Sequence, residues 1–227
     1  MLKSEIRFGG MNTILNKIFK DFFRENIEVY NEFSFQHELG IYLREKLKKY
    51  GDFKVQFEKN SLEILGDNKP YPHEEIEKRF GNKKIRKKEI DIVIYDGEST
   101  NPKNLISSIE LKYPRNGQVP ESMYSFVKDI RFLEGLTKKG NQNEKFFDKG
   151  YFICIVDDHL FYEVKNKKDG IYKYFRNKDY GVKIQKITKK PTGKNQDYNN
   201  SNIELDKEYE GKWEPIDDKK KYLIIKV

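Results

Sequence analysis

The chain has little cysteine, histidine or tryptophan and no alanine, and these shortages exclude several kinds of protein. Its one cysteine, Cys154, cannot form a disulfide within the chain, so we expect a reducing, cytoplasmic compartment. The three histidines and one cysteine do not show the spacing of a zinc site. A Gly-rich phosphate loop and a Gly-x-Ser-x-Gly turn are also missing, which argues against a P-loop nucleotide site and against a serine nucleophile of the α/β-hydrolase type.

Long apolar runs are missing as well. None approaches the ~18–20 residues that a membrane-spanning helix needs, so we expect no membrane association. The first ten residues, MLKSEIRFGG, contain no continuous apolar stretch and therefore do not predict a signal peptide.

Charged residues, in contrast, are abundant. They make up 36% of the 227 residues, as much as the hydrophobic residues do, which predicts a compact core under a highly charged surface. The 45 basic residues exceed the 37 acidic ones and give a net charge of +8, which favours a phosphate-bearing or acidic partner. Most basic residues are lysine, a bias typical of AT-rich coding sequence, so the charge is only modest support.

Two short apolar runs carry the residues of greatest chemical interest. The first, EIDIVIYD, contains Asp91, and the second, LISSIELK, contains Glu110 and Lys112. Both are rich in Ile, Val and Leu and are bounded by turn residues, which predicts buried neighbouring strands. Side chains alternate between the faces of a strand, so Glu110 and Lys112 should point to the same side. If the strands pair, two carboxylates and one ammonium meet in a cleft suited to a divalent metal and a phosphate.

An Asp on one strand followed by Glu-x-Lys on the next resembles the PD-(D/E)XK, or restriction-endonuclease-like, nuclease superfamily. The resemblance covers roughly residues 34–156, and Ile90 stands where the name-giving Pro would be. It implies an α/β fold with a mixed central β-sheet flanked by helices. It also implies Mg²⁺-dependent cleavage of phosphodiester bonds, with Mn²⁺ as a substitute ion. Asp91, Glu110 and the main-chain carbonyl of Leu111 would hold the metal, while Lys112 would orient the water and stabilise the transition state.

Other interpretations of these residues stay open. Glu110 and Lys112 could form a surface ion pair at a solvated strand end. The chain could also be a nucleic-acid-binding or protein-interaction module with an idle site, although the intact Asp, Glu and Lys favour an enzyme. We expect DNA as the substrate, in restriction, defence or repair. A homodimer would offer one active site for each strand of a duplex.

Three helices are predicted from apolar residues at helical spacing, over residues 11–24, 34–49 and 120–138. The second contains Glu38, in the segment FQHEL. This residue resembles the glutamate that many nucleases of the superfamily direct at the metal from an early helix, so Glu38 is a candidate catalytic residue. A surface position at the edge of the apolar stripe is the alternative.

Basic residues near these elements are candidate contacts to nucleic acid. They are Lys87 and Lys88 in the run KKIRKK before the Asp91 strand, Arg115 after the Glu110 strand, and Lys128 on the third helix. In a lysine-rich chain such a run can equally be a solvated edge.

The part of the chain after about residue 160 is rich in Lys, Asn, Asp and Gly. We predict a single domain over 1–227, with a core at about 11–160 and a β-rich continuation at about 161–227, in which Trp213 anchors the last strand. A small separate module that selects the substrate is the alternative. The strands predicted besides those of Asp91 and Glu110 are Phe53–Glu58, Leu62–Leu65, Tyr151–Val156, Ile171–Phe175, Val182–Ile187 and Tyr222–Val227.

Overall fold

A computed structural model describes residues 10–61, 89–97, 105–115, 119–138, 146–163, 170–189 and 202–227 of the chain. The helices of these residues are α1 (Met11–Arg24), α2 (Glu32–Leu47), α3 (Val119–Thr137) and the single turn α4 (Tyr172–Phe175). Their strands are β1 (Phe53–Asn60), β2 (Glu89–Asp96), β3 (Leu105–Lys112), β4 (Lys149–Val156), β5 (Gly181–Ile184), β6 (Ile187–Lys189), β7 (Asn202–Glu204), β8 (Tyr209–Lys212), β9 (Glu214–Pro215) and β10 (Lys221–Lys226).

A six-stranded sheet lies at the centre, with the strand order β1-β2-β3-β4-β10-β9. Neighbours β1, β2 and β3 are antiparallel, whereas β4 runs parallel to β3 after the crossover through α3. Strand β10 pairs antiparallel with β4. The pairs β5–β8 and β6–β7 form two small ladders. The predicted α/β class is therefore confirmed at this level: a mixed central sheet flanked by helices, with a β-rich C-terminal part.

Two apolar layers cover the two faces of the sheet. One layer packs α1 and α2 on side chains such as Ile109 and Ile153. The other packs α3 and the C-terminal part on side chains such as Phe152 and Cys154. Successive residues of β4 alternate between the layers, so this strand is buried on both faces, as its continuous apolar run predicts. Cys154 is fully buried, and burial raises the pKa of its thiol.

The start of α2 differs from the prediction and affects the site. The helix begins two residues before the predicted start at residue 34. Asn31 is its N-cap, because the Asn31 side chain accepts a hydrogen bond from the Ser34 N–H at 2.8 Å. The Ser34 hydroxyl in turn accepts from the Asn31 N–H at 3.1 Å. This reciprocal capping box satisfies two donors that the first turn of a helix otherwise leaves unpaired. It makes Glu32 the first residue of the helix.

The C-terminal part contains one wrong prediction and several missed strands. Ile171–Phe175, predicted as a strand, instead leads into the helical turn α4 after Gly170, whose φ is +60°. A short apolar run does not distinguish a strand from a buried helical turn. The predicted strand Val182–Ile187 is divided into β5 and β6. Strands β7, β8 and β9 are short and mostly polar, so they carry too few apolar positions to show alternation.

One predicted strand, Leu62–Leu65, lies outside the described residues. Among the helices that the structure does describe, none has the length and apolar composition required to cross a bilayer.

Trp213 joins the C-terminal part to the layer under α3. Its side chain is fully buried, and its indole N–H donates to the carbonyl of Phe175 at 3.0 Å. The side chain thus fills core volume and also satisfies the end of α4. Strand β10, which follows it in the chain, completes the sheet beside β4.

We therefore predict that Trp213→Ala lowers the free energy of unfolding by about 3–5 kcal/mol, because it opens a cavity in the core. Denaturant unfolding followed by far-ultraviolet circular dichroism measures the change. The matched control is Ile187→Ala, whose side chain is 53% exposed and whose loss should cost less than about 0.5 kcal/mol. Equal costs for the two variants would contradict the anchoring role of Trp213.

Candidate active site

The candidate site lies where β2 and β3 part. The backbone pairing between the strands ends at Ile92 and Ile109. At Asp91, the residue before Ile92, a side chain replaces the main chain as the partner of β3. The Oδ2 atom of Asp91 accepts a hydrogen bond from the Leu111 N–H at 2.6 Å. A carboxylate thus occupies the place of a main-chain partner. The side chain of Asp91 therefore holds the two strands together at this point.

Strand β3 supplies the other predicted residues of the site. Ile109, Leu111 and Tyr113 all belong to the apolar layer under α1 and α2, so the alternation of a strand directs Glu110 and Lys112 to the opposite face. Glu110 is almost completely buried. The prediction that these two side chains share a face is supported by this division of the strand.

Lys112 lies in a cluster of oxygen atoms. Its ammonium nitrogen is 3.1 Å from a Glu32 carboxylate oxygen, 2.9 Å from the Leu111 carbonyl oxygen and 3.6 Å from Asp129 Oδ2. Burial alone would lower the pKa of Lys112, but the carboxylates of Asp129, Glu32 and Asp91 raise it above the ordinary value for lysine. Lys112 is therefore a fully charged ammonium at neutral pH.

The pKa of Asp91 is raised in the same surroundings, which disfavours the charged form of its carboxyl group. Burial raises the pKa of its carboxyl from 3.8 to about 6. The Leu111 N–H and the Lys112 ammonium oppose this shift, while the charges of Glu32 and Asp129 add to it. Without a cation beside it, this carboxylate is costly to ionise, and a bound divalent ion would remove that cost.

Helix α2 contributes two residues that the sequence analysis missed. Glu32 contacts Lys112 through one oxygen, and its other oxygen accepts from the Tyr113 N–H at 3.2 Å. One turn later, the Gln36 side-chain amide donates to the main-chain carbonyl of Asp91 at 2.8 Å. The capping pattern of Asn31 and Ser34 was the available signal, because it predicts a helix that begins at Glu32. In such a helix Glu32 and Gln36 are four residues apart and therefore lie on one face.

Helix α3 contributes a third missed residue, Asp129. Its side chain is buried and lies beside Lys112. An acidic residue in the middle of an otherwise apolar helix face was the available signal, since buried carboxylates are rare without a cation nearby.

The structure does not bring Glu38 to this cluster. On an α-helix Glu38 lies about 200° around the axis from Gln36, which contacts the Asp91 strand. Its side chain is partly exposed, and within the described residues it makes no hydrogen bond or ion pair. Glu32, not Glu38, is the α2 glutamate that contacts Lys112.

The candidate nucleic-acid contacts lie in different places. Arg115 donates to the carbonyl of Tyr30 and lies 3.8 Å from an Asp157 oxygen, so it borders the residues around Glu32. Lys128 is exposed on α3, with its ammonium 5.1 Å from the Tyr124 ring centre. Lys87 and Lys88 lie outside the described residues.

The donors at the site suit a hard divalent ion in type. In the part of the chain that the structure describes, no group of three or more His, Cys, Asp and Glu is arranged to hold a metal. Mg²⁺, however, usually takes one or two protein carboxylates and keeps several waters. Asp91, Glu110 and the Leu111 carbonyl are oxygen donors of that kind. The Leu111 carbonyl also accepts a hydrogen bond from the Lys112 ammonium.

Comparison of the chain with protein-family models, with curated proteins and with solved structures found no match to any of them. The function is therefore inferred from the geometry and chemistry of the site.

The raised pKa of Asp91 predicts a pH effect on stability. Because its folded pKa, about 6, exceeds the ordinary 3.8, the contribution of Asp91 to stability is complete below about pH 4 and is lost as the pH rises through about 6. Asp91→Asn keeps an acceptor for the Leu111 N–H but never ionises. With chelator present it should be more stable than the parent chain by about 1–3 kcal/mol at pH 8, and no more stable at pH 4.

Urea unfolding of both proteins between pH 4 and pH 8 measures this difference. The control is Asp218→Asn, the same chemical change at an exposed carboxylate, which should alter the free energy of unfolding by less than about 0.5 kcal/mol. If the free energies of unfolding of Asp91→Asn and of the parent chain change with pH in parallel, ionisation of Asp91 does not destabilise the folded state, and the prediction is wrong.

Proposed function

We propose that the chain is a metal-dependent nuclease of the PD-(D/E)XK type that hydrolyses phosphodiester bonds, with DNA as the expected substrate. One observation carries the proposal: Asp91 and the Glu110–Lys112 pair lie on adjacent strands at the point where the strands part. A helix, three antiparallel strands, a crossover helix and a parallel strand surround them in that order, which supports a restriction-endonuclease-like core.

The chemistry follows from the residue types. Asp91, Glu110 and the Leu111 carbonyl would hold Mg²⁺, or Mn²⁺ in its place. When bound, the ion acidifies a coordinated water and neutralises charge on the phosphate. Lys112, held charged by its carboxylates, would position the attacking water and donate to the oxygen that gains negative charge. Glu32 and Asp129 would fix the ammonium in this position.

The direct test is cleavage by the purified chain. Supercoiled plasmid, single-stranded DNA and RNA are incubated with Mg²⁺, with Mn²⁺ and with chelator. We expect cleavage that requires a divalent ion and stops on chelation. Binding without cleavage under all these conditions would instead support a nucleic-acid-binding module with an idle site.

The three central residues should behave differently on substitution. Asp91→Asn and Glu110→Gln remove a formal charge at nearly constant volume, so they should abolish cleavage and weaken metal binding. Lys112→Ala should lower turnover by about 10²–10⁴-fold while metal and DNA binding persist, because its interaction is made mainly in the transition state.

Cleavage rates, metal titration by calorimetry and DNA-binding isotherms for the three variants decide this point. Undiminished cleavage in any one of them would remove that residue from the mechanism. Loss of metal binding in Lys112→Ala would show instead that the lysine holds the metal-binding residues in place.

Glu32 and Glu38 of α2 form a matched pair. Glu32→Gln weakens the ion pair with Lys112, so we expect turnover to fall by about tenfold or more. Glu38→Gln is the same chemical change on the other side of the helix, and cleavage should persist at the parent rate. A loss of activity in Glu38→Gln alone would show that the sequence-based choice was right and that Glu32 has a structural role.

A further inference from the structure

Two large aromatic side chains are exposed on either side of Glu32. Tyr30 is 61% exposed and Phe33 is 63% exposed, although Glu32 between them contacts Lys112. Exposed aromatic rings forfeit the burial that stabilises most residues of this kind. Here two of them lie at the edge of the candidate active site.

These rings are attached to a fixed turn. The N–H groups of Tyr30 and Asn31 both donate to the Ser34 hydroxyl, at 2.9 and 3.1 Å. The Ser34 N–H returns a hydrogen bond to the Asn31 side chain. The capping box therefore holds the backbone that carries both rings, so their exposure is not the result of a frayed helix end.

The Phe33 ring begins a row of rings that reaches the Asp91 strand. Phe33 lies 5.4 Å from His37, and His37 is stacked on Phe57 at 5.7 Å, with an angle of 6° between the planes. Phe57 pairs with Ile92, the residue after Asp91. The row thus runs along α2 and β1 beside the site, with its exposed end next to Glu32.

A cation contacts the main chain of the other aromatic residue, Tyr30. Arg115 is 51% exposed and donates to the main-chain carbonyl of Tyr30. A guanidinium in this position can contact a phosphate while an adjacent ring contacts a base, which is how single strands are commonly bound.

We propose that Tyr30 and Phe33 form a stacking platform for the unpaired bases of a single-stranded nucleic acid, with Arg115 at the flanking phosphate. The inference rests on the proposed function for its role in cleavage. Bases in an intact duplex are already stacked on each other and present only their edges. A ring platform therefore favours single strands, overhangs or opened structures over continuous duplex.

The test is a binding measurement made in chelator, so that no cleavage is needed. The probes are a single-stranded DNA oligonucleotide with one 2-aminopurine, the same strand with an abasic position in its place, and the matching duplex. The proteins are the parent chain, Phe33→Leu, Tyr30→Leu and Phe33→Trp. Tyr180→Leu is the matched control, since Tyr180 is a 44% exposed tyrosine of the C-terminal part.

We expect the parent chain to quench the 2-aminopurine and to bind the abasic strand about 5- to 100-fold more weakly. Phe33→Leu and Tyr30→Leu should lose affinity for the intact strand by a similar factor. Phe33→Trp, which keeps an aromatic face, and Tyr180→Leu should bind like the parent chain.

Equal binding of intact and abasic strands, or tighter binding of the duplex, would overturn the platform. So would a shift from dimer to monomer in Phe33→Leu during sedimentation, with DNA binding unchanged, because the rings would then contact a second copy of the chain. Cleavage in Mg²⁺ is measured separately. An inactive chain that still stacks the probe refutes the nuclease alone, whereas an active chain that does not stack it refutes the platform alone.

Discussion

The partly buried ammonium of Lys112 makes the contacts on which the candidate site depends. A charge removed from water is costly unless it is paired and hydrogen-bonded. Lys112 meets this requirement with oxygens from three different elements: Glu32 on α2, Leu111 on β3 and Asp129 on α3. The same contacts that stabilise the charge therefore also fix the two helices relative to the strand between them.

The carboxylates of the site differ in what they contact and in how easily they ionise. Asp91 is bound to the β3 backbone but is costly to ionise, because burial and two other acidic groups outweigh Lys112. Glu32 and Asp129 contact Lys112 directly. Three carboxylates thus surround one lysine, and the raised pKa of Asp91 follows from this excess of acidic groups together with burial.

The C-terminal part is connected to the site through helix α3. Glu134 on α3 is buried, and it accepts hydrogen bonds from the Tyr209 hydroxyl and the Asp206 N–H, at 2.9 and 2.8 Å. Asp129 lies on the same helix, about 140° around the axis. Helix α3 therefore attaches to the C-terminal part on one side and reaches Lys112 on the other, and β10 closes the sheet beside β4.

The sequence by itself determined the local elements and the residues that share a strand. Alternation and helical spacing depend only on neighbouring positions, so α1, β2, β3, α3 and β4 were predictable, together with the placement of Asp91 on one strand and of Glu110 and Lys112 on the next. Only the tertiary structure decided that Glu32 and Asp129, not Glu38, surround Lys112. Glu32 and Lys112 are 80 positions apart, and their contact depends on how α2 is rotated against the sheet. That rotation is set by packing over the whole apolar layer, which no local pattern records.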